Sequence, residues 1–337
     1  MVGAVVVQGD AVIGEGFHAE YGGPHAEIVA LRAAGAAARG ATVYVTLEPC
    51  AHHGKTPPCA DALIAAGVAR VVMAVGDPNP QARGGAEQLR GAGIDVVAGV
   101  EHDAACELNA PFFNAFRSAR PWIVVKLALS SEGAIADRSR SRRWLTGAES
   151  RAEVHRLRAG FDAVAVGIGT VLADDPELTA RGVPQPRVQP ARVVFDDDAR
   201  LPLNSALVRT ARQSRTIVVV RDTDSDRAAA LAAQGIEILA APSPDSGLAK
   251  LAQLGFRSIL VEGGAGLTGR LLQGGFVDRM IIFRSPVTLG AGALDAFAHA
   301  PGWSLADSER FRIIESATFG PDTMTTYALT PAPCSPG

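Results

Sequence analysis

The chain has 337 residues, a formal charge of −3, 47% hydrophobic and 20% charged residues. That length exceeds one ordinary core and suits two globular domains of about 100 to 200 residues each. The near-neutral charge and the lack of a basic tail argue against a long polyanion and for a small-molecule substrate; no uninterrupted apolar stretch of about 18 residues points to a membrane span.

The opening run Met1-Val2-Gly3-Ala4-Val5-Val6-Val7 lacks the basic segment and longer apolar core of a secretory signal. Four cysteines, Cys50, Cys59, Cys106 and Cys334, are a thin disulfide framework for this length and predict reduced thiols in a cytoplasmic setting.

Val2 to Val7 and Ala11 to Gly16 read as strands of a hairpin turning at Gln8-Gly9-Asp10. The alanine- and leucine-rich run His25 to Arg39 predicts a helix with Pro24 before it and Gly40 beyond it. Thr42 to Leu47 reads as a strand, Cys59 to Ala66 as a helix entered through Pro57-Pro58 and closed by Gly67. Then come a strand at Val68 to Val75, a helix at Gly84 to Ala92 and a strand at Ile94 to Ala98. Such alternation implies parallel strand pairs covered on both faces. Glu101 to Arg120 begins helical and turns polar before Pro121.

A second alternation follows. Strands are expected at Trp122 to Leu129, Asp162 to Val166, Arg192 to Phe195, Thr216 to Val220, Ile236 to Leu239, Ser258 to Val261, Met280 to Arg284 and Phe311 to Ala317. Helices are expected at Ser150 to Ala159, Arg227 to Gln234 and Leu267 to Leu272. The last strands lack intervening helices, so this second sheet should be mixed. The proline-rich piece Val183 to Pro190 reads as a loop and Pro331 to Gly337 as a disordered tail.

His25, Cys50 and Cys59 form a candidate metal centre. Two thiolates and an imidazole suit zinc, and three protein ligands leave a fourth position for water. Singly, such residues are more often a helix cap or core cysteines; together they also allow a structural site, which only His52 or His53 would close. Glu27, two residues beyond His25, falls outside the ligand set but lies close enough to serve the water. Zinc acidifies bound water and a neighbouring carboxylate can carry its proton to a leaving group, as release of ammonia from a ring requires. The pattern His25-Ala26-Glu27 followed by Pro49-Cys50 is that of zinc deaminases, except that eight residues, Ala51 to Pro58, separate the cysteines where nucleoside and polynucleotide deaminases have two.

The segments Glu20-Tyr21-Gly22-Gly23-Pro24-His25-Ala26-Glu27, Thr46-Leu47-Glu48-Pro49-Cys50 through Cys59, and Gly76-Asp77-Pro78-Asn79-Pro80 closely resemble the deaminase half of the bifunctional RibD family of riboflavin biosynthesis. The resemblance implies that the histidine and both cysteines hold zinc and that Glu27 is the proton shuttle. It also implies that His18, Lys55, Asp77 and Asn79 contact an aminopyrimidine ribotide. Family members carry a leading helix and a Pro-Asn-Pro before the Val-Gly that stands here as Val2-Gly3, and that Asn helps hold the substrate ring. The expectation is therefore either a start codon further upstream or a deaminase half lacking that wall.

In the second domain, Leu260-Val261-Glu262-Gly263-Gly264 running on to Gly269 reads as a strand, a glycine-rich turn and a helix start, a geometry able to cradle phosphate or merely to connect. Asp162 to Arg181 reads as a strand, a further glycine turn and the pair Asp174-Asp175, which chemistry alone would assign to a solvated loop or cap. The segments Lys126 to Ser130 with Gly133, Trp144-Leu145-Thr146, His155 with Leu157-Arg158-Ala159, Gly169 to Pro176 and Glu262-Gly263-Gly264 are similar, in order and spacing, to the reductase half of the same family. This resemblance implies a dihydrofolate-reductase-like fold using NADPH. Ala128, Trp144, Thr170, Asp174 and the turn Gly264, Ala265, Gly266, Leu267, Thr268, Gly269 would line the cofactor. Lys126, Arg158, Leu178, Arg181 and Glu262 would face the substrate, with Lys126, Asp174 and Glu262 the candidates for proton supply. Two positions depart from the family pattern: Ser-Leu-Asp-Gly is Ser130-Ser131-Glu132-Gly133, and a serine two before the tryptophan is Arg142, within the basic run Arg138 to Arg143.

The expected protein is thus α/β throughout. A cytidine-deaminase-like zinc domain spans 1–117, a connector 118–121, an NADPH-dependent reductase domain 122–330 and a tail 331–337. It would deaminate a diaminopyrimidinone ribotide and reduce its ribosyl group to ribityl. Nucleic acid and membrane are not expected partners, and homo-oligomerisation is left open. Two alternatives are a monofunctional NADPH-dependent reductase whose deaminase half only binds zinc, and a nucleic-acid deaminase with a binding module. The second is disfavoured by the charge and by 5% aromatics available for base stacking.

Overall fold

A computed structural model describes residues 1–139, 144–182, 186, 188–305 and 310–329. The expectations for Arg142, for half of the Val183 to Pro190 loop, and for the tail lie outside the described residues. Two compact units are present, the first running from Met1 to Arg117 and the second starting at Ser118. Among the described residues, no helix is long and apolar enough to cross a membrane.

In the first unit, β1 (Gly3–Gln8) and β2 (Ala11–Phe17) form the expected hairpin. Gly9 turns it at φ +58°, a left-handed conformation that glycine adopts without strain. Next come α1 (Ala26–Ala34), β3 (Thr42–Val45), α2 (Cys59–Ala66), β4 (Arg70–Met73), α3 (Gly85–Gly91), β5 (Asp95–Ala98), α4 (His102–Leu108) and α5 (Ala110–Asn114). The sheet order is β2-β1-β3-β4-β5, antiparallel at β1 and parallel from β3 to β5. Val6, Val43, Val45, Val71 and Met73 meet Ala30 of α1, Leu63 of α2 and Leu89 of α3 in one core. Ala105, Cys106 and Phe113 of α4 and α5 join Leu47, Ala74 and Val75 in another.

The helix expected from His25 to Arg39 is shorter. Gly35 takes φ +57° and ends α1, and a single 3-10 turn, Gly35–Ala38, follows. The close seat of α1 on the hairpin depends on two glycines. A Cβ at Gly14 would lie 2.3 Å from the Ala30 carbonyl oxygen, and one at Gly16 2.3 Å from that of Ala26. Bare backbone at β2 therefore lets the first turn of α1 approach the sheet.

The second unit contains β6 (Trp122–Leu129), β7 (Ala134–Ala136), α6 (Ala148–Ala159), β8 (Ala163–Gly167), α7 (Ile168–Asp174), β9 (Ala191–Phe195), α8 (Ala206–Arg209) and β10 (Thr216–Val220). It continues with α9 (Asp226–Ala233), β11 (Glu237–Ala240), α10 (Pro244–Gln253), β12 (Ser258–Val261), α11 (Ala265–Gln273), β13 (Arg279–Arg284), β14 (Leu294–Asp295), β15 (Arg312–Phe319) and β16 (Asp322–Ala328). Nine strands order as β11-β10-β9-β8-β12-β6-β13-β16-β15. Pairing is parallel as far as β13 and antiparallel through β16 and β15, the mixed sheet that helix-free final strands imply. Period-two alternation divides the strand residues between two cores. Val193, Ile217 and Val219 pack with Leu248 of α10 and Leu271 of α11. Val164, Val194 and Val218 pack with Val171 of α7 and Leu231 of α9 on the other face.

Among the described residues, six elements go beyond the sequence reading. Where a glycine turn is expected after Val166, Gly167 caps α7 with extended backbone and the helix runs on through Gly169. The helices α8 and α10 and the strands β7, β14 and β16 also lie outside that reading.

Candidate metal centre and reductive pocket

His25 is the N-cap of α1, and Cys59 opens α2 after the N-cap Pro58. The two helix starts converge on the loop after β3 that carries Cys50. Nδ1 of His25 lies 3.2 Å from the Cys59 sulfur and 3.6 Å from the Cys50 sulfur, and the three ligand atoms fall within 4.8 Å of one another. Zinc bonds of about 2.0–2.3 Å set the edges of a tetrahedron at roughly 3.5–3.8 Å, so this soft donor set fits the ion. Nε2 of His25 points away to Thr56 Oγ1 at 3.4 Å, a contact that helps fix the ring. The Cys59 amide donates to the Cys50 sulfur at 3.3 Å. The Cys59 hydrogen bond and then His25 draw the Cys50 thiol down to about 4, and the reciprocal bond raises Cys59. His52 and His53 stay outside the ligand cluster found among the described residues, so the fourth position is left to solvent or substrate.

Glu27 sits in the first turn of α1, only 3% exposed, and interacts with Cys59. Burial raises its carboxyl above the ordinary range, the condition of a group that must both take and return a proton. His18 stands edge-on to His25 with ring centroids 5.4 Å apart, its Nδ1 3.1 Å from the Pro24 oxygen. Asp77 is buried, its carboxyl raised by that burial, and its Oδ1 accepts from the Asn79 amide at 2.8 Å. Lys55 lies 4.0 Å above the exposed Tyr21 ring. One contributor stands in the resembling segment but was given no role from sequence: Glu48, whose carboxylate accepts from the amides of Asp77, Gly84 and Ala86.

In the second unit, Lys126 and Ala128 lie on one face of β6, beside β12. Glu262, just past β12, receives Arg158 of α6 in a two-bond fork, Nε to Oε1 at 2.5 Å and Nη2 to Oε2 at 2.9 Å. Lys126 Nζ is 3.8 Å from Oε2. Burial opposes ionisation of Glu262, but Arg158 and then Lys126 outweigh it and hold the carboxyl below its usual value. Burial likewise lowers Lys126, against the pull of Glu262. Arg158 also donates to the Thr179 carbonyl, and His155 Nδ1 sits 3.2 Å from both that oxygen and the Arg181 amide. Arg181 itself is exposed and bonds Glu177. Leu178 takes φ +55° and its side chain packs in the core, so it offers no open side-chain surface to a ligand. The start of α6 is held by Asp322, which accepts from the Gly147 amide and the Ser150 hydroxyl, a further contributor invisible in sequence.

Thr170 Oγ1 of α7 accepts from the Gly264 amide at 3.2 Å, which joins the two turns expected to line the cofactor. Gly264 is the N-cap of α11 with no side-chain cap, and the fully buried Thr268 hydroxyl has no partner. Free amides at a helix start and an orphaned hydroxyl fit a phosphate-bearing cofactor. Ala265, Gly266, Leu267 and Gly269 continue along α11, where a Cβ on Gly269 would lie 2.2 Å from the His299 carbonyl oxygen. Trp144 is largely exposed with Arg151 5.3 Å from its ring, and Asp174 closes α7 at the surface. The departure at Glu132 is absorbed by a local turn: its carboxylate accepts from the Leu289 amide at 2.8 Å.

A three-ligand zinc site with a buried carboxylate, carried in one chain with a mixed α/β unit holding a Lys–Glu–Arg cluster and a phosphate-ready helix start, defines a two-domain deaminase–reductase. Comparison with known proteins agrees. The family described as "RibD C-terminal domain" matches residues 121–325, and "Cytidine and deoxycytidylate deaminase zinc-binding region" matches residues 1–75. The riboflavin biosynthesis protein RibD of Aquifex aeolicus is 42% identical over 294 residues, 86% of this chain and 82% of that protein. That of Escherichia coli is 41% identical over 340 residues, 95% and 91% of the two chains. The solved Acinetobacter baumannii RibD (form 1) superposes with TM-score 0.84 at 39% identity, covering 98% of this chain and 92% of that one. The Thermotoga maritima diaminohydroxyphosphoribosylaminopyrimidine deaminase/5-amino-6-(5-phosphoribosylamino)uracil reductase gives 0.85 at 34% identity with the same coverage.

The chain belongs to the RibD family of bifunctional, zinc- and NADPH-dependent enzymes of riboflavin biosynthesis. The deaminase and reductase domains expected from sequence are both those of this family, and their presence in one chain favours the bifunctional reading over a reductase alone. Expectation of four reduced thiols holds for Cys50 and Cys59, which are free, but not for Cys106, which is disulfide-bonded.

Proposed function

We propose that the first unit hydrolytically deaminates 2,5-diamino-6-ribosylamino-4(3H)-pyrimidinone 5′-phosphate and that the second reduces the resulting ribosyl side chain to ribityl. The observation that carries this reading is the His25–Cys50–Cys59 cluster with the non-ligating Glu27 buried beside it. When bound, zinc acidifies water for attack on the amino-bearing ring carbon. Glu27, raised by its burial, takes that water's proton and delivers it to the departing ammonia. His18, Asp77 and Asn79 orient the ring, and Lys55 exchanges its contact with Tyr21 for the substrate phosphate.

NADPH supplies hydride to C1′ of the opened ribose. Thr170, Gly264 to Gly269, Ala128, Trp144 and Asp174 line its site in this reading, with the uncapped start of α11 facing its phosphates. Arg158 and Arg181 suit a ribose phosphate. Lys126, carried on β6 beside Glu262, is the best placed of the three candidates to give a proton to the imine nitrogen, which takes the C=N electron pair when hydride adds to C1′, because burial eases loss of its charge. Residues 118–121 serve as connector between a deaminase domain of 1–117 and a reductase domain of 122–330. The free thiols of Cys50 and Cys59 suit a reducing cytoplasm, and neither nucleic acid nor membrane is required.

One purified preparation tests both halves. Ammonia release from the ribotide and NADPH oxidation by the deaminated ribotide should both be observed. One zinc per chain without ammonia release would exclude the deaminase step.

A further inference from the structure

The loop that follows β4 carries Asp77 and Asn79, and both of its ends are tied to one side chain. Glu48 Oε2 accepts from the Asp77 amide at 3.1 Å, and Oε1 accepts from the amides of Gly84 at 3.2 Å and Ala86 at 3.1 Å. The residue is 8% exposed and lies two positions before Cys50. Its own amide donates to the Val75 carbonyl at 2.8 Å, so the main chain is fixed against the end of β4 from which the loop departs. The loop is docked on the cysteine segment elsewhere as well. The Ala51 amide donates to the Ala82 carbonyl at 3.0 Å, and a Cβ at Gly85 would lie 1.7 Å from the Pro49 carbonyl oxygen. Only glycine permits that approach. A carboxylate taking three backbone donors, two of them from the first residues of α3, is unusually well satisfied and geometrically exacting.

We propose that Glu48 is a positioning residue of the deaminase: it sets the 77–86 loop against the metal-bearing segment, so that Asp77 and Asn79 meet the substrate ring at a fixed distance from His25, Cys50 and Cys59. The proposal rests on the reading of Asp77 and Asn79 as ring contacts. Glu48 touches neither substrate nor metal in this scheme; it acts through the Asp77 amide. The physical reason for a carboxylate, rather than an amide, is the donor count. Gln at this position would keep one acceptor oxygen and present an NH2 to a backbone N–H. With the remaining oxygen on the Gly84–Ala86 pair, the repulsion falls on Asp77.

The test is steady-state deamination of the ribotide by full-length Glu48→Gln, with zinc content and the NADPH-dependent reductase activity of the same chain as references. The expected result is a KM for deamination raised about tenfold, the size of one lost charge-assisted hydrogen bond, with kcat changed far less and with zinc and reductase activity retained. Glu48→Asp keeps both acceptor oxygens and should fall between the parent and Glu48→Gln; it carries the test if the glutamine variant does not accumulate. An unchanged KM, or a loss of zinc along with deamination, overturns the proposal, the latter by making Glu48 a general support of the fold. Asp77→Asn and Asn79→Ala separate the two layers of the argument. If neither raises KM, the ring-contact reading fails; if both do and Glu48→Gln does not, only the positioning role fails. The double variant Glu48→Gln/Asp77→Asn should be less than multiplicative in its effect on KM, because both changes act on one contact.

Discussion

Arg158 and Glu262, 104 positions apart in the chain, meet as a forked ion pair in which both side chains are only 12% exposed. The pair ties the residue just past β12 to α6 and leaves Lys126 as the second cation on the same carboxylate. Removing the anion strands two buried positive groups. Glu262→Gln is expected to cost the second unit about 3–5 kcal/mol, as breaking a buried pair from one side does. Reductase turnover should fall with it, while ammonia release by the first unit persists. Calorimetry and the two activity assays check this.

The same carboxylate predicts a pH dependence. Its folded value lies below the ordinary 4.5, held down by Arg158 and Lys126 against burial. Its contribution to stability is therefore complete above 4.5 and is lost as pH falls through the lower folded value. Lys126 has the opposite sense. With its folded value lowered from 10.5 by burial, its charge costs stability at neutral pH, and that cost is relieved as pH rises through the lowered value towards 10.5. Melting of the second unit between pH 3 and 7 should show an acid loss that Glu262→Gln largely removes.

Thr170→Val removes the acceptor for the Gly264 amide while preserving shape. One neutral hydrogen bond of about 1 kcal/mol corresponds to roughly a fivefold rise in the KM for NADPH. The deaminase KM should not move.

Glu27→Gln should retain one zinc per chain and abolish ammonia release, because Glu27 lies outside the ligand cluster. Loss of metal instead would make it a ligand. Chelation, or Cys59→Ser, should end deamination and lower the melting temperature of the first unit with NADPH oxidation unaffected, since all three ligands lie in that unit.

Gly16→Ala tests the seat of α1. A Cβ 2.3 Å from the Ala26 carbonyl oxygen forces α1 away from β2 at the turn that carries His25 and Glu27. Overpacking of this kind costs about 1–3 kcal/mol. Zinc affinity and deaminase activity should fall together, whereas an alanine at the open Gly91 should be tolerated.

The sequence alone was most informative where chemistry is local. His25, Glu27, Cys50 and Cys59 stand in a spacing that few other uses of those residues share, and their helix starts are marked by Pro24 and Pro58. Strands buried on two faces were equally clear, because such burial demands long apolar runs such as Trp122–Leu129, whereas the polar, threonine-rich β16 was not read as a strand. Glycine misled in both directions: Gly35 ended a helix expected to continue, whereas Gly169 sits inside α7, where a turn was expected. Glycine's backbone freedom lets tertiary packing choose the outcome at either position. Leu178 shows a similar limit, since a family pattern locates the residue but not the direction of its side chain.

What the sequence determined by itself was therefore a His/Cys/Cys group suited to zinc, the alternation that builds two α/β units, and the family. What only the tertiary structure decided was which distant groups share a charge or a donor: Arg158 with Glu262, Thr170 with Gly264, and Glu48 with three amides up to 38 positions away. Hydrogen bonds and ion pairs act over a few ångströms, and the chain brings those atoms together only after each sheet has set its register and each helix its seat.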